Sequence, residues 1–292
     1  AHKKIHSNLP VIQVKNTEKA YQYFAAWHLQ SYSPVFFAIT GSNGKTSTGN
    51  MLNSILSIAA PTLSTKGNLN NHLGVPKTLL ELEERHKYCI IEMGANHQHE
   101  ISLLCSIASP DISIITNANN AHLGEFGSEE NLVKAKGEIL ESLTKDGVAL
   151  INIASTHKET WHEMSNTQSL TFFAKGSGIY PSEITESKSH INFNLNYSNA
   201  SLNVNLSMIG LHQVDNALAA AACAIALGIE SDVIKKGLEN TLPEKGRLEL
   251  IELENFKILD DSYNANPESM KAAIDCIGIF SEGNVRGLGS ID

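Results

Sequence analysis

The chain has 292 residues, 42% hydrophobic and 18% charged, enough apolar material for one large core or two smaller ones; a disordered tail and a collagen-like fibre are excluded. Lys and Arg number 22 against 31 Asp and Glu, so the formal charge of -9 gives no global attraction to nucleic acid and any phosphate site must be local. Cys89, Cys105, Cys223 and Cys276 lie far apart in apolar stretches and read as buried thiols; with no bilayer-length apolar run and no signal-peptide core in the first ten residues, the expected location is the cytoplasm, without membrane insertion.

In chain order, residues 35–39 form a short apolar run closed by Thr40-Gly41, and residues 46–58 read as a proline-free helix. The runs at 88–91 and 112–115 end at Glu92-Met93-Gly94 and Thr116-Asn117, and helices are expected over 100–106 and 128–143. Residues 148–151 add a fourth strand. Buried apolar strands alternating with helices predict an α/β fold, a mostly parallel doubly wound sheet of P-loop NTPase type with ligands at the carboxyl ends of its strands. Past Leu170 the period changes to two: 191–197 and 202–208 alternate around a polar turn, an added antiparallel hairpin with one wet face. Helices follow over 214–227 and 231–240, then a strand over 248–259 and a proline-started helix over 267–279. Residues 281–292 show no clear period.

The sharpest chemical signal is residues 40–47, Thr-Gly-Ser-Asn-Gly-Lys-Thr-Ser, between a strand and a helix. Backbone N–H groups around Gly41, Asn43 and Gly44 can close on phosphate oxygens. Lys45 can reach terminal phosphates, and Thr46, beside Ser47, can ligate Mg²⁺. A standard Walker A motif needs glycine where this chain has Ile39. Glu92 and His122 follow the next two strands and are expected near this loop. A carboxylate suits Mg²⁺, whereas His122 by itself reads as a structural or solvent-facing residue. Lys134 and Lys136 share a helix with Glu138, and spacing alone makes this a solvated charged face. The amide-rich loop 68–76, with Asn68, Asn70 and Asn71, suits a polar ligand or a set of turns. Asp260 and Asp261, before the proline-started helix, suit capping or sugar and metal ligation.

Together, residues 40–46, 67–71 with 74–76, 92–94, 121–123 with 126–128, 135–138, 216–220, 246–247 and 260–267 resemble the Mur ligases, the ATP-dependent amide-forming enzymes of peptidoglycan synthesis. The forms Gly-Asn-Leu-Asn-Asn with Gly-Val-Pro, and Asp-Asp-Ser-Tyr-Asn-Ala-Asn-Pro, are similar to the branch joining D-alanyl-D-alanine to UDP-N-acetylmuramoyl-tripeptide. The resemblance implies that Lys45 and Thr46 serve ATP and its metal, that Glu92 and His122 serve Mg²⁺, and that Asn216, Arg247 and Asp261 contact the nucleotide. It also implies that Lys136 is carbamylated by CO₂ to support a second Mg²⁺, which requires a desolvated amine and reverses the reading from spacing. Lys45, Lys136 and His122 are then the expected catalytic residues, and Asn68, Asn70 and Asn71 the substrate-binding ones. The implied organisation is a linker from a UDP-sugar-binding domain over 1–34, an ATP-binding domain over 35–260, and a hinge opening a truncated C-terminal domain over 261–292, the whole a monomer. Two other readings stand beside this one: a folylpolyglutamate synthase-like ligase, and a nucleotide-binding module without catalysis.

Overall fold

A computed structural model describes residues 8–118, 123–254 and 256–280. The elements run α1 (Thr17–Leu29), β1 (Val35–Thr40), α2 (Lys45–Ala59), β2 (Thr62–Ser64), α3 (Gly74–Leu79), β3 (Tyr88–Glu92), α4 (Glu100–Ala108), β4 (Ile112–Ile115), α5 (Leu123–Phe126), α6 (Glu129–Glu141), β5 (Val148–Asn152), α7 (Lys158–Met164) and β6 (Ser169–Phe173). They continue through β7 (Ile179–Glu186), β8 (Ile191–Tyr197), β9 (Ala200–Leu206), α8 (His212–Ala226), α9 (Ser231–Glu239), β10 (Glu249–Glu252), β11 (Lys257–Asp260) and α10 (Pro267–Ile277), closed by a 3₁₀ turn at Gly278–Phe280.

One nine-stranded sheet has the order β2-β3-β1-β4-β5-β6-β7-β8-β9, parallel from β2 to β6. Alternate side chains of β1 enter opposite cores, Phe37 and Ile39 beneath α2, α8 and α9, and Phe36 and Ala38 among α1, α3, α4 and α6. Burial on both faces is why these strands read as unbroken apolar runs rather than alternating ones. The expected hairpin is β8 with β9. Ile191, Phe193 and Leu195 are buried, while Asn192, Asn194 and Asn203 exchange amide hydrogen bonds on the outer face. It extends the main sheet rather than standing apart. All four cysteines are buried and free. No helix among the described residues is long and apolar enough to cross a membrane.

Sequence patterning misses β2, β6 and β7, as well as α1, α3, α5 and α7. β2 has three residues and one buried side chain, and β7 carries Pro181 and two glutamates on a largely exposed strand, so neither shows a clean period. The single strand expected over 248–259 is two antiparallel strands, β10 and β11. Leu253 and Phe256 lie at the turn between them and are exposed, so apolar residues conceal the reversal. This hairpin and α10 surround a separate small core of Ile209, Leu248, Leu259, Cys276 and Phe280.

Helix α9 lies against α2 so closely that Ser54 Oγ donates to the Gly237 carbonyl at 2.6 Å, and a Cβ on Gly237 would stand 2.4 Å from Ile55 Cα. The obstacle is backbone, which cannot rotate away. Gly237→Ala is therefore expected to destabilise the fold by about 1–3 kcal/mol despite the better helix propensity of alanine, read as a lower midpoint in denaturant unfolding.

Candidate active site

In the sheet, β1 has β3 on one side and β4 on the other, so chain connections leave it in opposite directions and a crevice opens at the carboxyl ends of these strands. The loop after β1 turns directly into α2. Gly44 caps α2 with φ 80°, no side chain caps that helix, and a Cβ on Gly44 would lie 2.2 Å from Asn216 Oδ1 of α8. Only glycine accepts both that dihedral and that approach. Asn43 is held by its neighbours: its N–H donates to Asn117 Oδ1 at 2.9 Å, and its carbonyl accepts from Thr116 Oγ1 at 2.6 Å. Its side chain pairs with Asn266, the N-cap of α10, whose Nδ2 donates to Asn43 Oδ1 at 2.7 Å.

Glu92, at the end of β3, is 7% exposed and its carboxylate is held from two sides. Thr46 Oγ1 donates to Oε2 at 2.8 Å, and Asn70 Nδ2 donates to Oε1 at 2.7 Å. Thr46 in turn accepts from an Arg247 guanidinium nitrogen at 2.9 Å. Arg247 packs 4.0 Å from the Tyr263 ring centroid, and its Nε lies 3.1 Å from Glu244 Oε2 without hydrogen-bond alignment, so the buried Nε–H is unsatisfied. Lys45 folds back to donate from Nζ to the Gly41 carbonyl at 2.8 Å. Burial depresses its pKa, with the Glu92 charge opposing and Arg247 reinforcing the shift.

Lys136 overturns the solvated-face reading. It is 3% exposed, with Nζ 5.7 Å from the Phe126 ring centroid, whereas Lys134 reaches solvent and pairs with Glu130 at 2.6 Å. Residues two apart on a helix differ by about 200° in direction, so the two lysines cannot share a face. Burial, followed by the Lys45 charge, brings the Lys136 pKa down to about 7, against the opposing pull of Glu100, Glu138 and Glu92. Glu138 is also buried; its carboxylate accepts the N–H groups of His99 at 2.6 Å and Ser102 at 3.0 Å, tying α4 to α6. Trp161 Nε1 donates to the Val133 carbonyl at 3.1 Å and fixes α7 against the other side of α6.

A cleft of about 550 Å³ gathers Gly41, Asn43, Gly44, Lys45, Thr46, Asn70, Asn71, Glu92, Lys136, Arg247 and Asp261. A second, of about 480 Å³, adjoins it through Asn43, Gly44, Arg247 and Asp261 and adds Ser47 and Asn216. Asn68 lines neither. Asn71 lines the cleft while its Oδ1 is committed to a turn, accepting from the N–H groups of Leu73 and Gly74. Asn216 is buried, with its Nδ2 donating to Gln213 Oε1 at 2.9 Å. Asp261 accepts the Leu248 N–H at 3.2 Å, and burial raises its pKa to about 6 in spite of that bond. His122 lies outside the described residues. Sequence reasoning did not find Glu138, Asn43's pairing with Asn266, or Tyr263 beneath Arg247; the buried pair Lys136 and Glu138 is recoverable only from the neighbours of α6.

The oxygens of Thr46 and Glu92 are hard donors suited to Mg²⁺, and no group of three or more His, Cys, Asp or Glu among the described residues could hold a metal unaided. A divalent ion here would need further oxygens from a ligand or water, the usual arrangement for Mg²⁺ with phosphates.

A buried lysine with a lowered pKa binds fewer protons folded than unfolded between about pH 7 and its unfolded pKa near 10.4, so it makes stability rise with pH across that window. Relative to Lys136→Met, the wild type is expected to gain on the order of 2 kcal/mol of unfolding free energy between pH 7 and pH 9.5. Denaturant titrations of both proteins at the two pH values measure this; parallel pH dependence contradicts it.

Residues 39–224 match the family model of the Mur ligase middle domain. The UDP-N-acetylmuramoyl-tripeptide--D-alanyl-D-alanine ligase of Escherichia coli (strain K12) is 40% identical over 276 residues, covering 92% of this chain and 61% of that protein. The ligase of the same name from Buchnera aphidicola subsp. Baizongia pistaciae is 39% identical over 293 residues, covering 97% and 64%. A crystal structure of MurF from Acinetobacter baumannii superposes with a TM-score of 0.92 at 39% identity, covering 95% of this chain and 62% of that one. The chain thus spans between 61% and 64% of the length of these curated relatives. With its middle-domain match running from the strand before the phosphate loop to the helix that carries Asn216, the chain belongs to the Mur ligase family.

Proposed function

We propose that this chain is the ATP-binding part of a cytoplasmic ligase that joins D-alanyl-D-alanine to UDP-N-acetylmuramoyl-tripeptide. The observation that carries the reading is the convergence of Lys45, Thr46, Glu92, Lys136 and Arg247 on one cleft at the sheet's switch point, in a chain 39–40% identical to ligases of that name. Residues 35–260 are the ATP-binding unit. By family resemblance we assign residues 1–34 to the lead from a UDP-sugar-binding domain and 261–292 to the opening of a third domain.

In the first half-reaction the peptide carboxylate attacks the γ-phosphorus of ATP. An oxygen–phosphorus bond forms as the bond to the β-phosphate oxygen breaks, giving an acyl phosphate and ADP. In the second, the amine of D-alanyl-D-alanine attacks the acyl carbon, loses a proton and expels phosphate. Two anions meet in the first half, so the site's main task is charge neutralisation and alignment. Lys45 leaves the Gly41 carbonyl for the phosphates, and the uncapped first turn of α2 offers further donors to them. Arg247 and Asp261 contact the nucleotide from the β10–β11 side and Asn216 from α8, while Asn70 orients Glu92. Thr46 and Glu92 would hold Mg²⁺, which when bound would supply Lewis-acid neutralisation of phosphate oxygens. Lys136, with its pKa near 7, presents enough neutral amine at physiological pH to add CO₂ with release of a proton, and the resulting carbamate is an anion placed to support a second ion.

Calorimetric titration with Mg-ATP is expected to show binding to the wild-type chain and at least tenfold weaker binding to Lys45→Ala, in line with loss of a charge-assisted contact. Unchanged affinity in the variant contradicts the phosphate-loop assignment. In a protein carrying all the domains of the relatives, Lys136→Ala is expected to lose most ligation activity and to recover part of it on addition of a small carboxylate. Normal activity in that variant removes the carbamate role.

A further inference from the structure

Arg247 is bonded where a metal is expected. Its guanidinium donates at 2.9 Å to the Thr46 hydroxyl, whose own proton goes to Glu92 Oε2 at 2.8 Å. An ion ligated by Thr46 would lie about 2.1 Å from that oxygen and hence within roughly 5 Å of the guanidinium nitrogen. A dication and a guanidinium repel at that separation, and the carboxylate beside the ion, the buried Glu92, reaches Arg247 only through Thr46, while the guanidinium's own carboxylate neighbour is Glu244 at 3.1 Å. The resting pose of Arg247 is also incompletely satisfied. One nitrogen meets a neutral hydroxyl, and the buried Nε–H, although 3.1 Å from Glu244 Oε2, is not aligned for a hydrogen bond to it. Phosphate oxygens are stronger partners for a guanidinium than either.

We propose that Arg247 is a built-in cation that closes the Thr46–Glu92 pair to a free divalent ion and yields it only when the phosphates of a bound nucleotide draw the guanidinium away. Metal then enters with or after the nucleotide, never before it. The Tyr263 ring and Glu244 keep Arg247 beside the loop in the interim, and its backbone lies in the bend before β10, outside α2. This inference rests on the nucleotide reading given above.

The test is binding of free Mn²⁺ to the 292-residue chain without nucleotide, followed by the loss of the aqueous Mn²⁺ electron paramagnetic resonance signal, in the wild type, Arg247→Gln and the bulkier Arg247→Met, with circular dichroism reporting the fold. Both neutral variants are expected to bind free Mn²⁺ at least tenfold more tightly than the wild type, and adding Thr46→Val to Arg247→Gln is expected to abolish the gain. Equal free-ion affinity in the wild type and a folded variant, with the wild type still binding Mn-ATP, overturns the competition and leaves the nucleotide reading standing. Failure of the wild type to bind Mn-ATP overturns both.

Discussion

A carboxylate at the end of a buried strand is costly unless other groups hold it, and Glu92 is held by side chains from separate parts of the chain. Thr46 comes from the first turn of α2, Asn70 from the amide-rich loop before α3, and Arg247, through Thr46, from the segment entering β10. Satisfying one charge thus fixes the relation of three segments spread over some two hundred positions of sequence. The backbone agrees with the side chains, since the Met93 N–H bonds to the Ile39 carbonyl and the Gly94 N–H to the Asn70 carbonyl. Around Glu92 the floor of the cleft is pinned, since both carboxylate oxygens have partners, and the groups left to move toward a multiply charged ligand are Lys45 and Arg247.

The electrostatics of the cleft run against those of the whole molecule. The chain carries a formal charge of -9, yet Lys45, Lys136 and Arg247 face one another across a space whose innermost carboxylate is already shared. Burial lowers the pKa of both lysines, so the cleft is tuned to hold less positive charge than its residue list suggests. An anionic ligand reverses that balance by stabilising the charged forms. A lysine that is partly neutral at rest is also a nucleophile, a property that an exposed lysine such as Lys134 lacks.

The last described segment is built differently from the rest. β10, β11 and α10 pack around a small apolar cluster of their own and meet the phosphate loop through polar contacts, Asn266 on Asn43 and Arg247 on Thr46. Few buried apolar groups and directional hydrogen bonds make a contact that can be exchanged for another of similar energy, as a packed core cannot. The two clefts share their boundary residues along this seam, so whatever occupies one bears on the other.

Sequence alone determined four parallel strands at the centre of the sheet, β1, β3, β4 and β5, and the phosphate loop, because both are local. A strand buried on two faces must be an unbroken apolar run, and a loop that wraps an anion must place glycine, lysine and a hydroxyl within a few residues of each other. The wet hairpin was legible for the same reason, in its period of two. What only the tertiary structure decided is everything set by neighbours distant in sequence. Lys136 reads as solvated on α6 and is buried by α5 and its surroundings; the run from 248 to 259 reads as one strand and reverses at an exposed Leu253; Arg247 reads as one basic residue among 22 and arrives at Thr46. Periodicity reports which face of an element is apolar, but burial of a charge depends on what packs against that face, and no spacing along a single helix or strand encodes that partner.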